Sequence, residues 1–167
     1  MDAIESRVRL DDYSASLGGQ WDRVWAYSEL RYGFYRGGAA NERLSGLAQG
    51  LYRLAGQARR GLSAGYQFYA MDALHPSPLY FSPRGYVSHG LLTRLEWPLT
   101  TAIKATITNN LFYQPGDGQV GESPHAALTA EWAGLRAALE GYYLVSRLRG
   151  SGRFISRHIV AGVGYRF

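Results

Sequence analysis

Four histidines, two of them close to serines, are the first residues of this sequence that could do chemistry. Ser123 stands two positions before His125, and Ser156 two before His158. A serine within reach of an imidazole is the minimum for acyl transfer, with the ring as general base. That chemistry also needs a carboxylate to orient the ring and donors to hold an oxyanion. No spacing brings either to these pairs, and His75 and His89 stand apart from both. Cysteine is absent, and His, Asp and Glu do not recur at metal-ligand spacing. The sequence therefore predicts no catalytic centre, no metal site and no cofactor. "GDGQVG" at 116–121 lacks the strand–helix context of a phosphate loop and reads as a loop.

The ionisable residues are better ordered than the histidines: they fall on alternate positions of extended, apolar stretches. From 22, "DRVWAYSELRYGFYRGG" sets Trp25, Tyr27, Glu29, Arg31 and Tyr35 against Val24, Ala26, Ser28, Leu30, Tyr32 and Phe34. "ERLSGLAQGLYRL" sets Arg43, Ser45, Gln49 and Arg53 against Leu44, Gly46, Ala48, Gly50, Tyr52 and Leu54, with Leu47 and Leu51 as exceptions. "GLSAGYQFYA" places Tyr69 opposite in parity to Leu62, Tyr66 and Phe68. "YVSHGLLTRLEW" places Tyr86, Ser88, Arg94 and Glu96 against Val87, Leu91, Leu95 and Trp97, with His89 and Thr93 on the apolar side. Lys104, Glu131, Glu140 and Tyr142 continue the pattern in later stretches, and "IVAGVGYRF" ends it with Ile159, Ala161, Val163, Tyr165 and Phe167 on one parity. Period 2 is the signature of a strand with two unlike faces. Leu47, Leu51 and Leu54 also satisfy helical spacing, but four glycines between 46 and 61 argue against a helix there.

The elements that position these residues are thus strands of roughly 9–13 residues, long for a soluble sheet and suited to crossing a bilayer at a tilt. Thirteen tyrosines, four tryptophans and 21 glycines against 19% charged residues suit an aromatic-rich sheet. Mean hydropathy is only −0.23, and no apolar run approaches the roughly 18 residues of a membrane-spanning helix. The opening "MDAIESRVRL" has no basic segment followed by an apolar core, so no signal peptide is predicted within this chain. The net charge of +5 is spread out rather than clustered, which argues against nucleic acid as a partner. Connections alternate in length. They are tight near "GGQWD", "AGQAR", "PLTT" and "GLR", and longer at "GGAANE", "MDALHPSPLYFSPRG", "QPGDGQVGESP" and "RGSGR". Outer-membrane barrels alternate tight periplasmic turns with long extracellular loops in this way.

A soluble barrel would turn the apolar parity inward. Here the other parity carries well-spaced ionisable groups that would be stranded in lipid and comfortable in a wet lumen. The sequence accordingly predicts an all-β, antiparallel transmembrane β-barrel of about 8–10 strands, in the outer membrane of a bacterial cell. The expected lumen lining is Tyr27, Glu29, Arg31, Arg43, Arg53, Tyr69, Tyr86, Arg94, Glu96, Lys104, Glu131, Glu140 and Tyr142. Leu44, Leu62, Leu91, Ile107, Leu128, Leu139 and Val163 are expected to face lipid, with aromatics such as Tyr32, Phe34, Trp97, Tyr113, Tyr165 and Phe167 near strand ends as girdles.

Two resemblances follow. "GVGYRF" resembles the C-terminal assembly signal of bacterial outer-membrane proteins, which implies recognition by the barrel assembly machinery through Gly162, Tyr165 and Phe167; Val160 departs from the usual polar residue. "YFSPRGYVSHGLLTRLEWPL" is similar to the C-terminal barrel of the cellulose synthase operon protein C family, relatives of exopolysaccharide-export porins that carry tetratricopeptide repeats. Tyr80, Phe81, Ser82, Pro83, Tyr86 and Ser88 carry that likeness over about residues 80–100. It implies export of a polysaccharide, although this chain has no helical repeats and fewer strands than such barrels.

Eight strands are clear from about 23 to 167. The segment "RVRLDDYSASLGGQW" flips its apolar parity at Asp11–Asp12, which a bulge within one strand or a hairpin between two would explain. One strand gives nine in all and implies part of a larger barrel; a hairpin gives ten and could close alone. Residues 1–167 thus form a single barrel domain or the C-terminal part of one, with 1–20 as an extra strand or hairpin. The expected function is a passive conduit for exopolysaccharide, with Tyr27, Tyr69, Tyr86 and Tyr142 placed to stack on sugars. The alternatives are a small closed barrel that scaffolds a periplasmic or other partner protein, and a membrane-embedded lipid-modifying enzyme.

Overall fold

The computed structural model describes residues 9–36, 41–57, 60–75, 83–147 and 153–165. Among them there is no helix, and ten strands form one antiparallel sheet: β1 Arg9–Trp21, β2 Val24–Arg36, β3 Asn41–Gln57, β4 Arg60–Ala73, β5 Tyr86–Pro98, β6 Ile103–Gln114, β7 Gln119–Glu122, β8 His125–Trp132, β9 Leu135–Arg147 and β10 Arg153–Tyr165. The order along the sheet is that of the chain. β7 and β8 share one lane between β6 and β9, interrupted at Ser123–Pro124, so ten strands fill nine lanes. Proline has no amide hydrogen to give the ladder, and the break falls beside it.

The first strand settles one alternative: Arg9 to Trp21 pair with Arg36 to Val24 without a bulge or a turn. The change of parity at Asp11 has another cause. Asp11 lies on the same face as Tyr13 and Phe34, with Arg9 Nε and Arg36 Nε each 2.9 Å from its carboxylate. The apolar run of that face ends there, and a charged clasp begins. Val8 lies outside the described residues.

Tight connections join β1–β2, β3–β4, β5–β6 and β8–β9 on one side of the sheet, and longer ones join the other ends. The β8–β9 turn has Ala133 at φ 47° and Gly134 at φ 84°, the two left-handed residues of a turn matched to strand twist. β1 and β10 both run toward the tight-turn side, so these edges could meet each other only as a parallel pair. Among the described residues they are not paired.

Burial is reversed relative to a water-soluble sheet. Of the ten buried residues other than glycine, all but Val145 lie on the polar parity, and they include Asn41, Ser45, Ser88, Gln114 and Ser146. On the other face Leu17, Ile159 and Val163 are 77–78% exposed, and Leu44, Leu62, Leu91, Ile107, Leu128 and Leu139 are exposed with them. No second layer covers the polar side among the described residues; its side chains cover one another because the sheet curls toward it. Trp25 on β2 and Arg94 on β5 are three lanes apart, yet the guanidinium carbon lies 5.4 Å from the indole centroid. Neighbouring lanes lie about 4.8 Å apart, so backbones about 14 Å apart along the sheet are bridged by these two long side chains leaning toward each other over the polar face.

Candidate functional site

The concave polar face is where chemistry-bearing side chains collect. Pairing registers place Tyr27, Glu29 and Arg31 of β2, Arg43 and Arg53 of β3, Tyr69 of β4, Tyr86, Arg94 and Glu96 of β5, Lys104 of β6, Glu131 of β8, and Glu140 and Tyr142 of β9 on this one face. Leu47 and Leu51 belong to it too, Leu51 being buried between Trp25 and Gly65 across the ladder.

Most charges here are neutralised locally. Arg31 reaches Glu29 at 2.6 Å, Lys104 reaches Glu96 at 3.3 Å, and Arg43 reaches Asp12 at 3.6 Å. Arg136 lies 3.8 Å from Glu131, and His125 Nε2 lies 3.2 Å from Glu140. Tyrosines are engaged as well. The Tyr27 hydroxyl donates to Glu29, Tyr69 and Tyr86 meet edge to face at 5.8 Å, and Gln114 donates to the Tyr86 hydroxyl at 2.6 Å. Only part of each ring is therefore left for a sugar face.

One cross-strand row organises the histidines that spacing left scattered. Thr108, His125, Tyr142 and His158 occupy consecutive lanes in register. The Tyr142 ring stacks between the two imidazoles, 4.3 Å from His125 and 4.7 Å from His158. Thr108 Oγ1 lies 3.3 Å from His125 Nδ1, and Glu140 accepts from both His125 and the Tyr142 hydroxyl. This is a hydroxyl–imidazole–carboxylate chain able to pass a proton. Its hydroxyl is Thr108 rather than Ser123, which falls in the break between β7 and β8; Ser156 lies on β10 beside His158 with no hydrogen bond to it. The row faces the polar side, whereas a lipid acyl chain would meet the apolar one.

His89, on the apolar face, shares a hydrogen bond with the Tyr66 hydroxyl through Nδ1 and packs against Phe68 at 5.5 Å. Two polar residues escaped sequence reasoning. Asn41, 3% exposed, bonds both the amide and the carbonyl of His75 and so ties the start of β3 to the segment after β4. Asn109 sits on the apolar face opposite Thr93, its Oδ1 buried without a partner among the described residues. An asparagine within an alternating stretch is the only signal either gave.

Of the residues behind the two resemblances, Gly162 lies on the polar face of β10 and Tyr165 on the apolar face, while Phe167 lies outside the described residues. Pro83 precedes β5, and its carbonyl accepts from the Ala73 amide at 3.0 Å; Tyr80, Phe81 and Ser82 lie outside the described residues. Comparison with family models, curated proteins and solved structures finds no match for this chain.

Proposed function

We propose that this chain is wall of a bacterial outer-membrane β-barrel and serves as a passive conduit for a hydrophilic polymer, an exopolysaccharide being the preferred cargo. The observation that carries the reading is the reversal of burial: from β2 to β9 the polar-parity side chains are largely covered and the aliphatic ones of the other parity exposed. An exposed apolar surface of this extent is far beyond the few hundred Å² a soluble monomer tolerates, and lipid is the solvent that suits it. A closed ladder then satisfies the backbone in that medium. The polar face becomes the lumen, with outer-membrane lipid as the partner of the other face.

Lane parity disfavours an eight- or nine-stranded scaffold barrel and leaves a ring of ten or more strands. Nine lanes put β1 and β10 in the same direction, so an all-antiparallel ring takes an odd number of further strands between them. The smallest such ring has ten strands and the next has twelve, whereas the interior of about eight strands is filled by its own side chains. The outer edge of β10, with Gly162 on it, pairs with no strand among the described residues and suits capture by the barrel assembly machinery, since an unpaired edge is a template for pairing. A lipid-modifying activity has less support, because the proton-passing row lies away from the lipid-facing side.

The test uses single-tryptophan variants reconstituted in vesicles. Trp97 and Trp132, on the apolar face, should be quenched by brominated lipid, and Trp25, on the polar face, by aqueous iodide. Iodide reaching Trp97 and Trp132 while brominated lipid quenches none would overturn the membrane assignment. Absence of saccharide efflux from vesicles that pass the first test would overturn the conduit.

A further inference from the structure

Every acidic group on the polar face has a basic partner, but the converse does not hold. Asp12, Glu29, Glu96 and Glu131 are each within ion-pair distance of a cation, and Glu140 lies 3.2 Å from the His125 imidazole. Arg23, Arg53 and Arg94 are left with no acidic partner among the described residues, and all three line one cavity of about 190 Å³ at the tight-turn end. The sheet register builds this group. The Arg53 amide donates to the Arg23 carbonyl at 2.8 Å, Arg53 lies opposite Ser63, and Ser63 lies opposite Arg94. Small Ser63 therefore separates two guanidiniums two lanes, about 10 Å, apart at the backbone. A bulge follows Arg53 directly, where a re-aimed side chain is a usual consequence. Arg94 lies over Trp25, and its Nε is buried without a hydrogen-bond partner. Glu96, the one acid on the cavity wall, is already held by Lys104.

The unpartnered buried N–H of Arg94 is costly in a resting protein, and three cations lining one cavity repel one another. An incoming oxyanion removes both penalties, and the planar fork of arginine is matched to carboxylates and phosphates. We propose that this cavity binds a carboxylate borne on a soluble saccharide, clamped between Arg53 and Arg94 with Arg23 at the rim. The proposal rests on the polar face being water-filled, and it makes the conduit's cargo an acidic polymer.

Calorimetric titration of the detergent-solubilised chain tests it without requiring transport. Trigalacturonate should bind saturably, inorganic phosphate more weakly, and neutral maltotriose not at all. Arg53→Gln/Arg94→Gln should weaken trigalacturonate by about tenfold or more, as expected for charge-assisted hydrogen bonds, while Arg136→Gln, at a paired arginine, should leave it unchanged. Each variant is to be compared by its far-ultraviolet β signal, and the single variants Arg53→Gln and Arg94→Gln should each show a partial loss if the double variant misfolds. Equal binding of maltotriose, or undiminished binding by the folded arginine variants, would overturn the site. Phosphate binding as tightly as trigalacturonate would overturn its assignment to a saccharide. Arginine-dependent binding without vesicle efflux keeps this site and removes the conduit; efflux without such binding does the reverse.

Discussion

One row of side chains crosses the polar face, and its two halves are built on opposite terms. From the β1–β2 turn through β5 it reads Arg23, Arg53, Ser63, Arg94, three cations with no counter-charge among the described residues. From β6 to β10 it reads Thr108, His125, Tyr142, His158, each touching the next by a hydrogen bond or a ring stack. A half whose members satisfy one another is consistent with holding the sheet together. A half left short of partners stores unfavourable energy, and in native proteins such shortfalls mark places where something else is expected to bind. The same sheet and face hold both, and the two halves differ in side-chain choice.

The largest expected effect tests whether the arginine half is also the tighter in backbone. A Cβ on Gly65 would fall 1.8 Å from the Gly50 carbonyl oxygen, whereas one on Gly141, between Ala126 and Ile159, meets nothing within 4 Å. Gly65→Val should cost about 3 kcal/mol or more through forced backbone displacement, and Gly141→Ala should be neutral, as read by urea unfolding in lipid. Similar losses at the two would abolish the difference in packing. Next comes the contrast of faces within one strand. Leu128→Arg should cost about 2–4 kcal/mol and neighbouring Thr129→Arg under about 1 kcal/mol, if the first meets lipid and the second water. Equal costs would mean that both sides see the same solvent.

The third effect divides the row itself. His125→Ala removes a hydrogen bond at each ring nitrogen and one stack, for a loss of about 1–2 kcal/mol. Arg94→Gln should leave stability unchanged or raise it, because it removes no ion pair and relieves crowding of cations. A comparable loss at Arg94 would make the arginine half structural and end the contrast. Smallest of all is Arg136→Gln, whose pair with Glu131 spans 3.8 Å with both side chains about two-thirds or more exposed. Its unfolding free energy should change by less than about 0.5 kcal/mol.

Alternation along single strands was enough to assign faces: the thirteen polar residues singled out by parity share one side, and Leu44, Leu128 and Val163 are exposed on the other. Rows across strands were not legible, because a row depends on the offset between neighbours. Thr108, His125, Tyr142 and His158 lie 17, 17 and 16 positions apart in sequence, and nothing local says that the Ser123–Pro124 break keeps the later three aligned with the first. The bulge after Arg53 is hidden for the same reason: it displaces one residue and leaves composition untouched. The Asp11–Asp12 parity change was visible but has a physical cause that a local reading misses. A strand need not bulge when its outward face simply passes from an apolar stretch to the charged clasp of Arg9, Asp11 and Arg36.

That clasp has a consequence for which membrane suits the protein. On β2 the apolar face runs from Val24 to Phe34, directly opposite Asp11, and then meets charge. Ten steps of about 3.3 Å, tilted about 40°, give a hydrophobic height of about 25 Å. A thicker bilayer would draw the Asp11 carboxylate and its two arginines into hydrocarbon, and the resulting mismatch would be met by thinning the lipid around this edge or by a steeper tilt. On the proposed membrane reading the clasp thus acts as a gauge that favours thin membranes, independently of whether anything passes along the polar face.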